Sequence, residues 1–156
     1  MSKSKKRFQT ALSTAGMKRE ITDLPGSTRT AEEAAASVGC DVAQIAKSIV
    51  FRGTTSGSAV LVIMSGINRV DTEKVAAHIG EPIGRADAEF VRAQTGFAIG
   101  GVPPFGHVKT VTTLLDEDLM AFERVWAAAG GPFSVFETTP GELARVTGAP
   151  ILNVKT

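Results

Sequence analysis

Lys47-Ser48-Ile49-Val50-Phe51-Arg52-Gly53-Thr54-Thr55-Ser56-Gly57-Ser58-Ala59-Val60-Leu61-Val62-Ile63-Met64 is the stretch on which the fold turns. Ile49, Val50 and Phe51 stand in a row ahead of a run of glycine, serine and threonine. β-Branched and aromatic side chains fit a pleated backbone, and a short glycine-bearing connection between two such runs reads as a β-hairpin. Residues 59–64 are aliphatic or small throughout. A strand of that kind needs cover on both faces, so it belongs in the middle of a sheet with layers above and below.

Working outward, helix signals surround the hairpin. Residues 5–15 place Phe8, Leu12 and Ala15 at helical spacing, with Gly16 as a stop. Residues 21–24 read as a short strand before the Pro25-Gly26 turn. Thr30 with Glu33 three residues later forms a capping-box pattern and opens a helix over 31–38, stopped by Gly39. Asp41 starts a second short helix ending near Ala46, which would begin the strand at Lys47. Downstream, residues 71–79 form a helix between Asp71 and Gly80, and residues 87–95 another, ended by Gly96. Residues 108–115 and 133–136 are strand-like, and residues 123–129 fit either state. Thr139 or Thr138 caps a helix over 140–146 with Pro140 at its first position, and residues 151–154 form a closing strand. This irregular alternation predicts an α/β chain of the mixed α+β kind. The expected form is a curved, partly closed mixed β-sheet with surrounding helices.

A length of 156 residues fits a single domain over 1–156. The longest aliphatic run is far shorter than the ~20 residues of a membrane helix. The basic start is not followed by an apolar stretch, so no signal peptide is expected and the cytoplasm is the expected location. A lone cysteine, Cys40, excludes an internal disulfide framework and a cysteine metal cluster. Net charge is +1, with four of the 17 basic residues, Lys3, Lys5, Lys6 and Arg7, in the first seven. The rest of the chain is slightly acidic, which argues against a general polyanion binder and against specific DNA binding. The basic tip, about residues 1–7, is expected to be solvated and flexible.

Familiar catalytic spacings are missing. The two histidines, His78 and His107, form no zinc motif, and neither a G-x-S-x-G elbow nor a G-x-x-x-x-G-K-[ST] loop occurs. His78 falls inside a helix and reads as structural. Two places remain. Gly100-Gly101 precede Val102-Pro103-Pro104, and such a loop either makes a tight turn or presents backbone N–H groups to a carbonyl or phosphate. Lys47 precedes an apolar strand, where it either snorkels to solvent or serves a site.

Taken together, these segments resemble the YbaK/prolyl-tRNA-synthetase-associated domain family. The resemblance is carried by Ile45-Ala46-Lys47-Ser48-Ile49-Val50-Phe51 and by Gly100-Gly101-Val102-Pro103-Pro104-Phe105-Gly106-His107. Thr30-Ala31-Glu32-Glu33-Ala34-Ala35, Asp71-Thr72-Glu73-Lys74-Val75 and Thr139-Pro140-Gly141-Glu142-Leu143 fall in the expected order around them. It runs from about Thr28 to Val154. The resemblance implies an aminoacyl-tRNA deacylase acting in trans, hydrolysing the ester at the 3′ end of mischarged tRNA, with tRNA(Pro) a candidate. It implies no metal and no cofactor. The implied partners are the tRNA acceptor end and an aminoacyl-tRNA synthetase. A non-catalytic module binding the acceptor end or a synthetase is the alternative, and a hydrolase of other small acyl esters a further one.

On this footing Lys47 matches the family's key lysine, set to orient the ester through a phosphate or the terminal adenosine. Backbone amides around Gly100, Gly101 and Val102 are expected to bind the reacting carbonyl, with Pro103 stiffening the loop. Ser48 is a substrate-side hydroxyl if the strand bends and an ordinary strand residue otherwise, because neighbours on a strand face opposite ways. Thr30 is a helix cap or a substrate contact, and His107 a general base or a loop histidine bonded to backbone. The cysteine-directed member of the family has a tyrosine and an aspartate where this chain has Leu24 and Val135. The alanine-directed group has a histidine near Ala128. Those departures leave a small or medium side chain as the expected substrate.

Overall fold

The computed structural model describes residues 2–26 and 30–156; Thr28, where the resemblance begins, lies outside them. The helices are α1 (Lys3–Thr14), α2 (Ala31–Val38), α3 (Thr72–Ile79), α4 (Ala88–Thr95) and α5 (Pro140–Thr147). The strands are β1 (Ile21–Asp23), β2 (Ile45–Gly53), β3 (Ala59–Ser65), β4 (Ile83–Arg85), β5 (Thr112–Asp116), β6 (Val125–Ala128), β7 (Ser134–Thr138) and β8 (Ile151–Leu152). The mixed α+β architecture expected from the sequence is present. Among the described residues no helix is long and apolar enough to cross a membrane.

The hairpin is the centre of the sheet. β2 pairs β3 antiparallel from Ala46 with Ser65 to Arg52 with Ala59, and every residue of β3 is buried. β5 lies parallel to β3, and β8 parallel to β5. On the other side β6 runs parallel to β2, then β7 antiparallel to β6 and β1 antiparallel to β7. The path from β1 to β8 leaves both ends unjoined among the described residues, so the sheet is open. One face carries α1, α4 and α5 over Leu61, Ile63, Phe97 and Phe136; the other carries Val75 of α3 over Val60, Val62 and Met64. α2 packs Ala34 and Ala35 onto Ile45.

Thr30, Asp71 and Thr139, read as helix starts from the sequence, are in place, and Asp87 and Gly148 add a cap and a stop that the sequence reading did not name. Thr30, Asp71, Asp87 and Thr139 each accept an amide from the first turn of their helices, and Gly39, Gly80, Gly96 and Gly148 close the ends at positive φ. Each side-chain cap contributes about 1 kcal/mol. Thr139 is the cap of α5, while Thr138 binds the Glu142 carboxylate at 2.9 Å.

Four expectations change. Residues 42–44 make a single 3-10 turn, and β2 starts at Ile45, because Ile45 and Ala46 are recruited by β6. Within residues 123–129, which fitted either state, Val125–Ala128 form a strand, since β6 gains ladders on both edges. β4, which no pattern announced, is held by pairing to Phe51, Arg52 and Gly53. From Lys3 the basic tip forms the first turns of α1: Ser2 caps it, Lys5 Nζ reaches Asp23 at 2.6 Å, and Phe8 and Leu12 are buried.

One topological detail positions the site. The outer edge of β2 is shared: β6 takes Ile45 and Ala46, and β4 takes residues 51–53. Among the described residues no strand lies beside residues 47–50 on that edge. The Gly53 amide bonds Ser58 across the hairpin at 2.8 Å, whereas the Thr54 amide bonds Pro82 on the β4 side at 2.9 Å. Backbone direction alternates along a strand, so Ser48 and Val50 turn their peptide groups toward this break.

Candidate active site

A cavity of about 1000 Å³ opens at the break in the ladder. Its inner wall is apolar and small, with Ala46, Val91, Val102, Ala127 and Val135 all buried. Charge sits toward the mouth, on exposed Glu32, Arg85 and Asp87 and half-buried Lys47.

Lys47 and Ser48 both line this cavity. They do face opposite sides of β2, Lys47 with Ile49 and Phe51, Ser48 with Ala46 and Val50. The cavity reaches both because no neighbouring strand closes the edge between them. Lys47 Nζ donates to the Gly66 carbonyl at 3.3 Å. Burial lowers the pKa of this ammonium; Glu32 opposes that, Arg69 adds to it, and Asp116 opposes it. Gly66 is there because a Cβ would collide with the Val42 carbonyl oxygen. Ser48 Oγ is buried with no hydrogen-bond partner among the described residues. A buried hydroxyl left unpaired costs about 1–3 kcal/mol.

The glycine-rich loop forms the facing wall. Residues 98–101 make a turn closed by the Gly101 amide on the Ala98 carbonyl at 2.9 Å, with Gly100 at φ 93°. The Gly101 carbonyl accepts the Gly130 amide at 3.1 Å, and its Cα packs against Gly131. Gly101 therefore has no amide to offer a ligand, contrary to the expectation from sequence; it holds the loop. Gly100 and Val102 do line the cavity, and their amides have no partner among the described residues.

His107 Nε2 lies 2.8 Å from the Pro103 carbonyl, which only accepts, so the proton is on Nε2. The ring stands edge-on to Phe97, and burial lowers its pKa against the opposing pull of that carbonyl. It faces a separate groove with Arg7 and Arg145. The structure thus gathers Thr30, Lys47, Ser48, Gly100 and Val102 on one cavity and leaves Gly101, Pro103 and His107 behind the loop. Thr30 Oγ1 is occupied as the α2 cap at 3.1 Å from the Glu33 amide. Sequence reasoning missed Gly66, Arg85 and Asp87. Nothing in the letters links Gly66 to Lys47 across 19 positions.

All five cavity residues lie inside residues 26–146, the span matched by the sequence profile of the aminoacyl-tRNA editing domain. The chain belongs to the aminoacyl-tRNA editing domain family. It is 33% identical over 142 residues to the uncharacterized protein YwhH of Bacillus subtilis, covering 91% of this chain and 90% of that one. It is 29% identical to EbsC of Enterococcus faecalis, provisionally named a Cys-tRNA(Pro)/Cys-tRNA(Cys) deacylase, covering 75% of this chain and 76% of that one. A proline–tRNA ligase of Limosilactobacillus fermentum is 36% identical over 110 residues, 67% of this chain but 19% of the ligase. The fold superposes with a TM-score of 0.93 on a crystal structure provisionally described as a trans-editing enzyme for prolyl tRNA synthetase. That protein is 48% identical, with 100% of this chain and 99% of that one covered. The editing-domain fold is therefore shared over the whole length of this chain.

Proposed function

We propose that this chain is an aminoacyl-tRNA deacylase acting in trans on tRNA mischarged with a small amino acid, tRNA(Pro) first among candidates. One observation carries the reading: Lys47, Gly100, Val102 and Ser48 line one apolar cavity at a break in strand pairing, and the two amides and the hydroxyl have no partner among the described residues. Water adds to the ester carbonyl carbon, and the bond from that carbon to the 3′ oxygen breaks. The proton lost by the water reaches the departing 3′ oxygen by way of the neighbouring ribose hydroxyl. The Gly100 and Val102 amides receive the developing oxyanion; one well-placed donor of this kind supplies about 3–4 kcal/mol. Lys47 orients the acceptor end through a phosphate or the terminal adenosine. Pro103 and His107 stiffen the loop from behind, and Gly101 anchors it.

The wall favours a small side chain, and Ser48 Oγ favours one that carries a hydroxyl. Serine or threonine satisfies that oxygen, whereas alanine leaves it unpaired. Sites that hydrogen-bond a substrate hydroxyl reject the analogue lacking it far more strongly than a methylene is sensed. The names of the similar proteins support tRNA(Pro) as the carrier, and the slightly acidic body leaves room for a synthetase to supply affinity. A deacylation screen over tRNA(Pro), tRNA(Ala), tRNA(Thr) and tRNA(Cys), each with cognate and near-cognate small amino acids, tests this. Fast release of serine or threonine, with alanine slower, is expected. Binding of tRNA without release of any amino acid would make the chain an acceptor-end binding module instead.

A further inference from the structure

Asp116, at the end of β5, is fully buried, yet it lies outside the cavity. Its carboxylate gathers three donors: the Ser65 amide at 3.0 Å, Asn68 Nδ2 at 2.8 Å and the Asp118 amide at 2.9 Å. Burying a charge is costly unless such donors surround it. Two of the three come from one tight turn, residues 65–68, which is closed by the Asn68 amide on the Ser65 carbonyl at 2.9 Å. Asn68 Nδ2 also reaches Asp118 at 2.8 Å, and Asp118 is paired with Lys155 at 2.6 Å. Ser65 Oγ fastens the start of the turn to the Ala43 carbonyl at 2.7 Å. The turn is thus tied at both ends, and the carbonyl it presents, that of Gly66, is the acceptor of Lys47 Nζ.

We propose that Asp116 is a positioning residue for the deacylation site, acting on Lys47 through the rigid turn at residues 65–68 and the Gly66 carbonyl. The inference rests on Lys47 serving that reaction. A point charge on a four-carbon stem has no geometry of its own, so its place is set by what its ammonium binds. Displacements of about 1 Å at such a group cost up to a hundredfold in rate. The charged groups around Lys47 are Glu32 from α2, Arg69 after the turn and Asp116 beneath it.

Two measurements test the relay. The titration of Lys47 is followed by side-chain carbon NMR in wild type and Asp116→Asn, with the resonance assigned through Lys47→Arg. Lys47 is expected to lose its proton at lower pH in Asp116→Asn, because a negative charge that favours the ammonium is gone. Should that variant not fold, Asn68→Ala loosens the same turn from a half-buried position. Asn68→Ala is expected to lower kcat about tenfold with little change in KM. In the double variant with Lys47→Arg the two losses are expected to fall well short of their product. An unmoved Lys47 titration in folded Asp116→Asn, or losses that multiply, overturns the relay. A wild type that hydrolyses no aminoacyl-tRNA overturns the proposed function instead, and the titration still decides whether Asp116 governs Lys47.

Discussion

At Ser48 two properties meet that a strand residue rarely combines: a buried hydroxyl and the absence of a partner among the described residues. Ser48→Ala removes an unsatisfied polar atom, so the variant is expected to match or exceed wild type in thermal stability, by up to about 1 kcal/mol. Its discrimination between seryl and alanyl esters is expected to drop by about tenfold or more, read from the ratio of kcat/KM values. A stability loss together with unchanged discrimination would remove Ser48 from the site. Lys47 stood out in the sequence because a charged residue precedes an apolar strand within a recognisable segment. Ser48 was ambiguous there for a physical reason. Alternation turns it away from Lys47, and only the missing ladder between β4 and β6, set by strands far along the chain, brings both to one cavity. Gly101 misled for the opposite reason: a glycine pair shows a sharp turn, but not which of the two amides closes it.

At the level of elements, α1 shows how a few apolar side chains override a solvated appearance. Phe8 is fully buried, with ring centroids 5.1 Å from Phe105 and 4.9 Å from Phe136. Phe8→Ala is expected to cost about 3–5 kcal/mol, lowering Tm by roughly 10 °C or more in a melt followed by circular dichroism. Lysines in the first turn, set against the helix dipole, concealed this docking in the sequence. Helix ends were legible because caps are local; β4 was not, since three residues form a strand only through their partner. The loop after α4 carries a pH signature. His107 holds its proton less tightly folded than unfolded, so below its ordinary pKa of 6.5 the unfolded chain binds more protons. Stability is therefore complete above about pH 6.5 and declines as acid is added, until the folded-state pKa is reached. His107→Gln is expected to flatten that part of a stability–pH curve between pH 7 and 5. It is also expected to keep most deacylase activity at neutral pH, because the ring faces away from the cavity.

The molecule as a whole is one mixed sheet, and among the described residues the outer edge of β2 is interrupted beside the cavity. Its hairpin centre and flanking helices followed from periodicity and capping; its open ends and the break beside β2 depend on pairings that no local pattern specifies. Its net charge of +1 is too small to hold tRNA by counterion release alone. The apparent KM for charged tRNA is therefore expected to vary with salt with a log–log slope of about 1–3, a few phosphate contacts at most. A slope near 8 would place most of the affinity on a basic surface instead. Lys47 is the residue on which deacylation is expected to depend most directly. Single-turnover deacylation of seryl- and threonyl-tRNA(Pro) by wild type and by folded Lys47→Ala is the deciding comparison. The predicted result is release well above the spontaneous rate by wild type and a loss of about a hundredfold or more in the variant. Equal rates in the two proteins would contradict the assignment of the site.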